Sequence, residues 1–442
     1  MKVSVDGNSF KRIPIRRLVL MLLLALTNRP AVAQEAASQL SQSQSAGTAD
    51  GLGDANLPFE GRVGDIVLQP PTADGYNTDP LLKLPTLQHA LAPWYDFKNV
   101  LDIEHGLEFG MSYTNLYQNA SNTFTGQNHA ASGVLEIGGI WTLIGRHTQQ
   151  SGALGFVFAD RHNYDIPLSP SELNAQFGSL WQTALAYEKF DFVPSELWWE
   201  QNIVKDRFIV RFGKVDAGGV YDYFKYKNPR EGFLSDPFAL NNTIAYPGEG
   251  PGAILGLTNG TAYLLAGIHD ANGDGRSFDL ESFFERSEFF TAVEVGYEPV
   301  LQYGKGSYQM TFWHVDQRDL AMVPSGWGYT LFAEQQFGRV LPFFKYGHSE
   351  GGAASLTDMI ATGVVIEEIF DRKSDVFGLG FSWGRPTDRS LNNQTGIEAF
   401  YRLQFLNEVA VTANVQAIFN PASNPTSKDP VAVFGLRLRT LF

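Results

Sequence analysis

From about residue 100 onward the chain alternates apolar and polar side chains with a period of two, the spacing of a β-strand whose two faces meet different surroundings. In the last stretch, Val431 to Phe442, one face carries Phe434, Leu436, Leu438 and Phe442 and the other Gly435, Arg437, Arg439 and Leu441. Ile397, Ala399, Tyr401, Leu403 and Phe405 likewise alternate with Glu398, Phe400, Arg402 and Gln404, and Val411 to Phe419 repeat the pattern against Thr412, Asn414 and Gln416. A soluble strand can alternate this way. What favours a membrane is a strand with one continuous apolar face, two arginines on the other and an aromatic terminus: lipid then replaces the core, and the polar face borders water.

Sixteen such strands are predicted, near 101–114, 132–143, 152–160, 180–190, 206–214, 251–257, 262–269, 288–298, 307–316, 327–337, 340–348, 359–370, 375–384, 394–406, 409–419 and 431–442. The fold class that follows is all-β, a 16-stranded antiparallel transmembrane outer-membrane β-barrel. The connections sort by side. Short turns at 258–261, 338–339, 371–374 and 407–408 fall on the side of the termini, and the long stretches 115–131, 161–179, 215–250 and 270–287 fall on the other. A soluble sandwich has no reason to sort its loops this way, whereas a barrel with periplasmic turns and outer loops does. The inner-side stretch 191–205 stands apart: Pro194 to Gln201 reads as a helical turn capped by Ser195.

The beginning of the chain places the rest in a cell envelope. Lys11, Arg12, Arg16 and Arg17 precede the apolar run Leu18 to Leu26, and Ala31-Val32-Ala33 offers the small residues that a signal peptidase reads. Residues 1–33 are therefore expected to be a signal peptide, since a spanning helix needs roughly 20 apolar residues. Residues 34–95 are expected to form a flexible periplasmic segment, Ser/Gln/Ala/Gly-rich at first, with a short helix around 81–91. The barrel would occupy 96–442. Removing the leader takes six Lys/Arg and one Asp, so the formal charge of −14 becomes −19, which argues against nucleic acid as a partner. There is no cysteine, which excludes a disulfide framework and thiolate metal sites.

Four stretches together resemble the carbohydrate-selective porins of the OprB type in Gram-negative bacteria. They are Glu196 to Gln201 leading into Arg207 to Lys214; Phe289 to Pro299; Asp375 to Gly380; and Gly396 to Arg402 with Asn420-Pro421 and Val433 to Arg437. The resemblance implies an outer-membrane barrel that passes sugars passively, with lipid around it and sugars as its small-molecule partners. A homotrimer is a candidate assembly, for which the sequence singles out no contact surface. The sequence departs from the family after the first strand, where Asn115 to His129 replaces a glycine-rich loop.

The longest loop, 215–250, is expected to fold inward and narrow the channel. It brings Tyr221, Tyr223 and Tyr226 together with Lys225, Lys227, Arg230, Glu231 and Asp236, and aromatic faces beside charged groups suit a sugar ring and its hydroxyls. Alternation turns Glu108, Arg207, Arg211, Glu294, Glu398, Arg402, Arg437 and Arg439 inward, as solute contacts or as ion-pair ladders stiffening the wall. Barrel closure would set Arg437 or Arg439 opposite Glu108. Mixed signs suit a neutral polyhydroxyl solute, whereas a ring of one sign selects ions.

Asp270, Asn272, Asp274 and Glu281 match the spacing of a calcium loop without its flanking helices, and a structural calcium is the one inorganic group the sequence suggests. No other cofactor is expected. Gly347-His348-Ser349-Glu350-Gly351 matches a nucleophile elbow outside the strand–turn–helix setting that motif requires. Two rival readings remain at this level: a general, non-selective porin, and an outer-membrane hydrolase using Ser349 or the pair His314 and Asp316.

Overall fold

Strand pairing in the computed structural model closes on itself. The structure describes residues 79–442 apart from 147, 149, 205, 206, 278 and 425–428, so the expected signal peptide and residues 34–78 of the expected N-terminal segment lie outside the described residues. A helix, α1 (Pro85–His105), leads through Gly106 into β1 (Leu107–Ala120). Then follow β2 (His129–Ile144), β3 (Ser151–Asn163), β4 (Phe190–Val204), β5 (Phe208–Val215), β6 (Gly250–Thr258), β7 (Ala262–Asp270) and β8 (Phe289–Tyr297). The second half comprises β9 (Gly304–Val315), β10 (Gly326–Gln335), β11 (Val340–Glu350), β12 (Leu356–Glu367), β13 (Val376–Pro386), β14 (Gln394–Gln404), β15 (Val409–Phe419) and β16 (Val431–Leu441). A two-residue bridge, Val300–Leu301, sits in the β8–β9 turn.

Each strand pairs antiparallel with the next, and β16 pairs with β1 from Ser112↔Leu441 to Ala120↔Val433, which leaves the sheet without an edge. Along β16 the outward Phe434, Leu436 and Leu438 are 55%, 55% and 40% exposed, while the inward Arg437 and Arg439 are 1% and 6% exposed. The apolar face therefore points to lipid.

Three expectations are corrected. Residues 101–105 belong to α1 and not to the first strand; the helix ends only where Gly106 takes the left-handed conformation (φ 69°) that a glycine adopts at no steric cost. Residues 180–189 are not a strand. Their apolar side chains are buried inside the barrel, Trp181, Ala184 and Tyr187 fully so, in a loop that runs from 164 to 189. Residues 190–204 form the missing strand, β4, and no helical turn. Its Pro194 sits at a register shift against Val157 and Phe158, where a ladder donor is dispensable, and Ser195 donates to the Val157 carbonyl at 3.2 Å instead of capping a helix.

Candidate functional site

Loop 216–249 folds into the barrel and is tied to strands around much of its circumference. Glu294 on β8 accepts the Asp222 N–H at 2.7 Å, and Gln309 on β9 donates to the Tyr223 carbonyl at 2.9 Å. Lys345 on β11 pairs with Asp222 at 2.9 Å, and Glu367 on β12 takes Lys225 at 2.6 Å and the Tyr226 hydroxyl. On β14, Glu398 accepts the N–H groups of Leu234 (2.6 Å) and Ser235 (3.0 Å). From β16, Arg439 pairs with Glu231, and Arg437 donates to the carbonyls of Pro229 (2.7 Å) and Gly232 (3.1 Å).

Aromatic packing completes the attachment. Phe224, Phe233 and Phe238 from the loop meet Phe343 of β11 and Phe400 of β14, with centroids at 4.4 Å for Phe224–Phe343 and 5.0 Å for Phe233–Phe400. Gly347 of β11 lets the loop approach, since a Cβ there would lie 1.9 Å from Thr243 Oγ1.

Loop 164–189 folds inward as well. Thr183 offers its carbonyl to Gln118 (3.1 Å) and Gln416 (2.7 Å), and the Leu185 N–H donates to the Leu234 carbonyl of the other loop at 2.9 Å.

Between loop 216–249 and β2–β5 lies a cavity, partly open to solvent, with an empty volume of about 1040 Å³. Arg161 (β3), Arg211 (β5), Lys225, Lys227 and Arg230 line it, together with Glu136 (β2), Glu196 (β4), Asp216 and Glu249. Three of the cations are fixed by a carboxylate and by a ring. Arg211 donates to Glu200 at 3.0 Å over Trp198, Arg230 to Glu136 at 3.0 Å over Tyr187, and Arg161 pairs with Glu188 over Phe190. Burial, then the neighbouring Glu249, holds the Asp216 carboxyl above the ordinary carboxylate range, and burial beside Lys345 pushes Lys227 down. Tyr223 presents the loop's half-buried aromatic side chain to the cavity.

The family model for carbohydrate-selective porins matches residues 95–442. The chain belongs to the OprB family. It is a carbohydrate-selective porin, and its barrel is that of a bacterial outer-membrane protein. Among solved structures, the high-pH form of Pseudomonas putida OprB aligns with a TM-score of 0.66 at 14% identity, covering 79% of this chain and 97% of that one. The low-pH form aligns at 0.51 and 13% identity, covering 79% and 96%. At such identity the likeness is one of fold. No curated protein matches the chain.

Of the residues singled out from the sequence, Arg211, Tyr223, Lys225, Lys227 and Arg230 line this cavity. Glu294, Glu398, Arg402, Arg437 and Arg439 do point inward, but the loop occupies them: Arg402 lies 3.6 Å from Glu231. Tyr221 is fully buried with its hydroxyl 3.3 Å from His269, and Tyr226 is held by Glu367, so neither offers a ring face to a solute. Arg207 is exposed in the β4–β5 turn rather than on the wall. Glu108 pairs across with Ile140, while Arg437 and Arg439 face Leu116 and Thr114, so the expected Glu108 row does not form. Sequence reading passed over Glu136, Arg161, Asp216 and Glu249, and placed Glu196 on a turn. A charged residue at an inward position of β2 or β3 was the available signal.

Of the calcium-like residues, Asp270, Asn272 and Asp274 line one small polar pocket with Glu249 and Asp279, and Glu281 stands outside it. Asp270 accepts the Asn272 N–H (2.9 Å) and the Ser282 hydroxyl, Asn272 donates to Glu288 (2.7 Å), Asp274 accepts the N–H groups of Arg276 and Ser277 (both 2.9 Å), and Glu281 is exposed. Among the described residues no group of three acids or histidines could hold a metal. Ser349 lies on the inward face of β11 and donates to the Leu356 carbonyl at 2.6 Å, while His348 points outward to Asp358 at 2.8 Å, so no nucleophile elbow is present at this motif. His314 and Asp316 stand 3.8 Å apart on the surface.

Proposed function

We propose that sugars diffuse passively through the passage between the β2–β5 wall and loop 216–249, exchanging water contacts for contacts with Arg161, Arg211, Arg230, Glu196 and Tyr223. The observation that carries this reading is the way charge is used. Each of the three arginines is neutralised by a carboxylate at its own position, so the passage has little reason to concentrate ions of one sign. Saturable block of the ion current by sugars tests the reading, and current indifferent to sugars would favour a general porin.

We further infer a homotrimer embedded in outer-membrane lipid. On the outward face of β1–β3, Tyr113 hydrogen-bonds His162 and Tyr164 (both 3.0 Å) and His162 meets Asp160 at 2.7 Å, above a dent left by Gly133. Such a polar knot is poorly served by acyl chains and suits a neighbouring barrel. Native mass spectrometry in detergent is expected to give a trimer that Tyr113→Phe/His162→Ala converts to monomer. A wild-type monomer would remove the inference.

A further inference from the structure

Asp236 begins α2 (Asp236–Ala239), a short helix within loop 216–249, and its carboxyl sits where this loop meets loop 164–189. The residue is 7% exposed. Asp236 Oδ2 accepts the Gln182 N–H at 2.9 Å and lies 3.5 Å from Asn242 Nδ2. Three buried oxygens in this knot find no donor: Asp236 Oδ1, Gln182 Oε1 and Asn242 Oδ1. Buried acceptors are costly to leave unpaired, and one proton on the carboxyl would add a donor to a knot in which three acceptors lack one.

The surroundings offer no cation to take that role. Glu188 faces Asp236 from loop 164–189, and Glu398 of β14 is committed to Leu234, Ser235 and Asn414. Lys345 of β11 gives its ammonium to Asp222 and to the Leu240 carbonyl. From β12 and β13, on which α2 packs, Met359, Ala361, Gly380 and Ser382 face the loop, and none of them titrates.

We propose that Asp236 is a proton-operated latch between the two inward loops: protonated, it closes the knot with Gln182 and Asn242, and ionised, it lets loop 164–189 lift from the approach to the passage. Burial pushes this carboxyl up to about 7, with the Gln182 and Asn242 bonds opposing and Glu188 adding to the rise. The sign follows from the direction. A carboxyl whose pKa is raised in the latched state and ordinary in the open one holds the latch fully below the ordinary carboxylate range, and the hold is lost as pH rises through about 7. Over that interval the open fraction grows roughly ten-fold per pH unit. The latch rests on the passage being the route of conduction.

Single-channel conductance between pH 5 and pH 9 tests it, in wild type, in Asp236→Asn, and in a Leu185→Cys/Leu234→Cys pair. The native chain has no cysteine, so this pair is its one possible disulfide, and it would join the loops where their backbones already bond. Wild-type conductance is expected to rise with pH and level off above about 7. Asp236→Asn is expected to stay at the acid value throughout, and the cysteine pair to be flat when oxidised and wild-type-like when reduced. A wild-type pH dependence retained in Asp236→Asn or in the oxidised pair, or a flat wild type, would overturn the latch and leave the passage standing. No conductance at any pH would overturn the passage itself.

Discussion

Replacing Glu398 by alanine is expected to raise single-channel conductance several-fold and abolish sugar block while the barrel stays folded. This one carboxylate accepts from the Leu234 N–H at 2.6 Å, the Ser235 N–H at 3.0 Å, the Ser235 hydroxyl at 2.5 Å and Asn414 Nδ2 at 2.8 Å, all buried. Alanine strands these donors together, at roughly 1–3 kcal/mol for each unsatisfied group. Every roughly 1.4 kcal/mol moves the docked-to-released ratio of the loop ten-fold. The barrel does not depend on the same bonds, because β14 keeps its full ladders to β13 and β15. Conductance at the wild-type value would mean that the aromatic contacts of Phe233 with Phe343 and Phe400 hold the loop without Glu398.

Arg211→Ala is expected to act on the solute rather than on the loop. Arg211 lines the cavity, paired with Glu200 of β4 and stacked over Trp198 of β4. A charge-assisted hydrogen bond is worth about 1.5–3 kcal/mol, so the sugar concentration giving half-block should rise roughly 10- to 100-fold. Conductance in the absence of sugar should change far less than in Glu398→Ala. Arg211→Lys keeps the charge but loses the planar fork and the stacking, and should fall between wild type and alanine. Half-block unchanged in Arg211→Ala would move sugar recognition elsewhere along the passage.

The barrel was legible because alternation and the sorting of loop lengths are properties of local sequence, repeated strand after strand. Leu436 and Arg437 show their faces in one dipeptide. Strand β4 was hidden because Pro194 and the Ser-Glu pair after it imitate a helix start, and only the bulge opposite Val157 accommodates them. Inward direction was also legible, but occupancy was not. Arg437 and Glu398 have the chemistry of solute contacts, yet the loop claims both, while the loop's own Tyr226 is taken by Glu367 of β12, and nothing local says which inward residues a loop will cover. The Glu108 row failed for a related reason, because closure of a barrel staggers its strands and the offset between β1 and β16 is a property of the whole ring. The passage acids Glu196, Asp216 and Glu249 come from three separate segments, and only the folded loop brings them to one wall.

The central claim is that sugars bind on their way through this passage. Single-channel current of the refolded protein in a planar bilayer, titrated with glucose, a maltooligosaccharide and a non-sugar osmolyte of similar size, tests it most directly. The account predicts saturable block by the sugars and none by the osmolyte. An open channel equally indifferent to all three would contradict it.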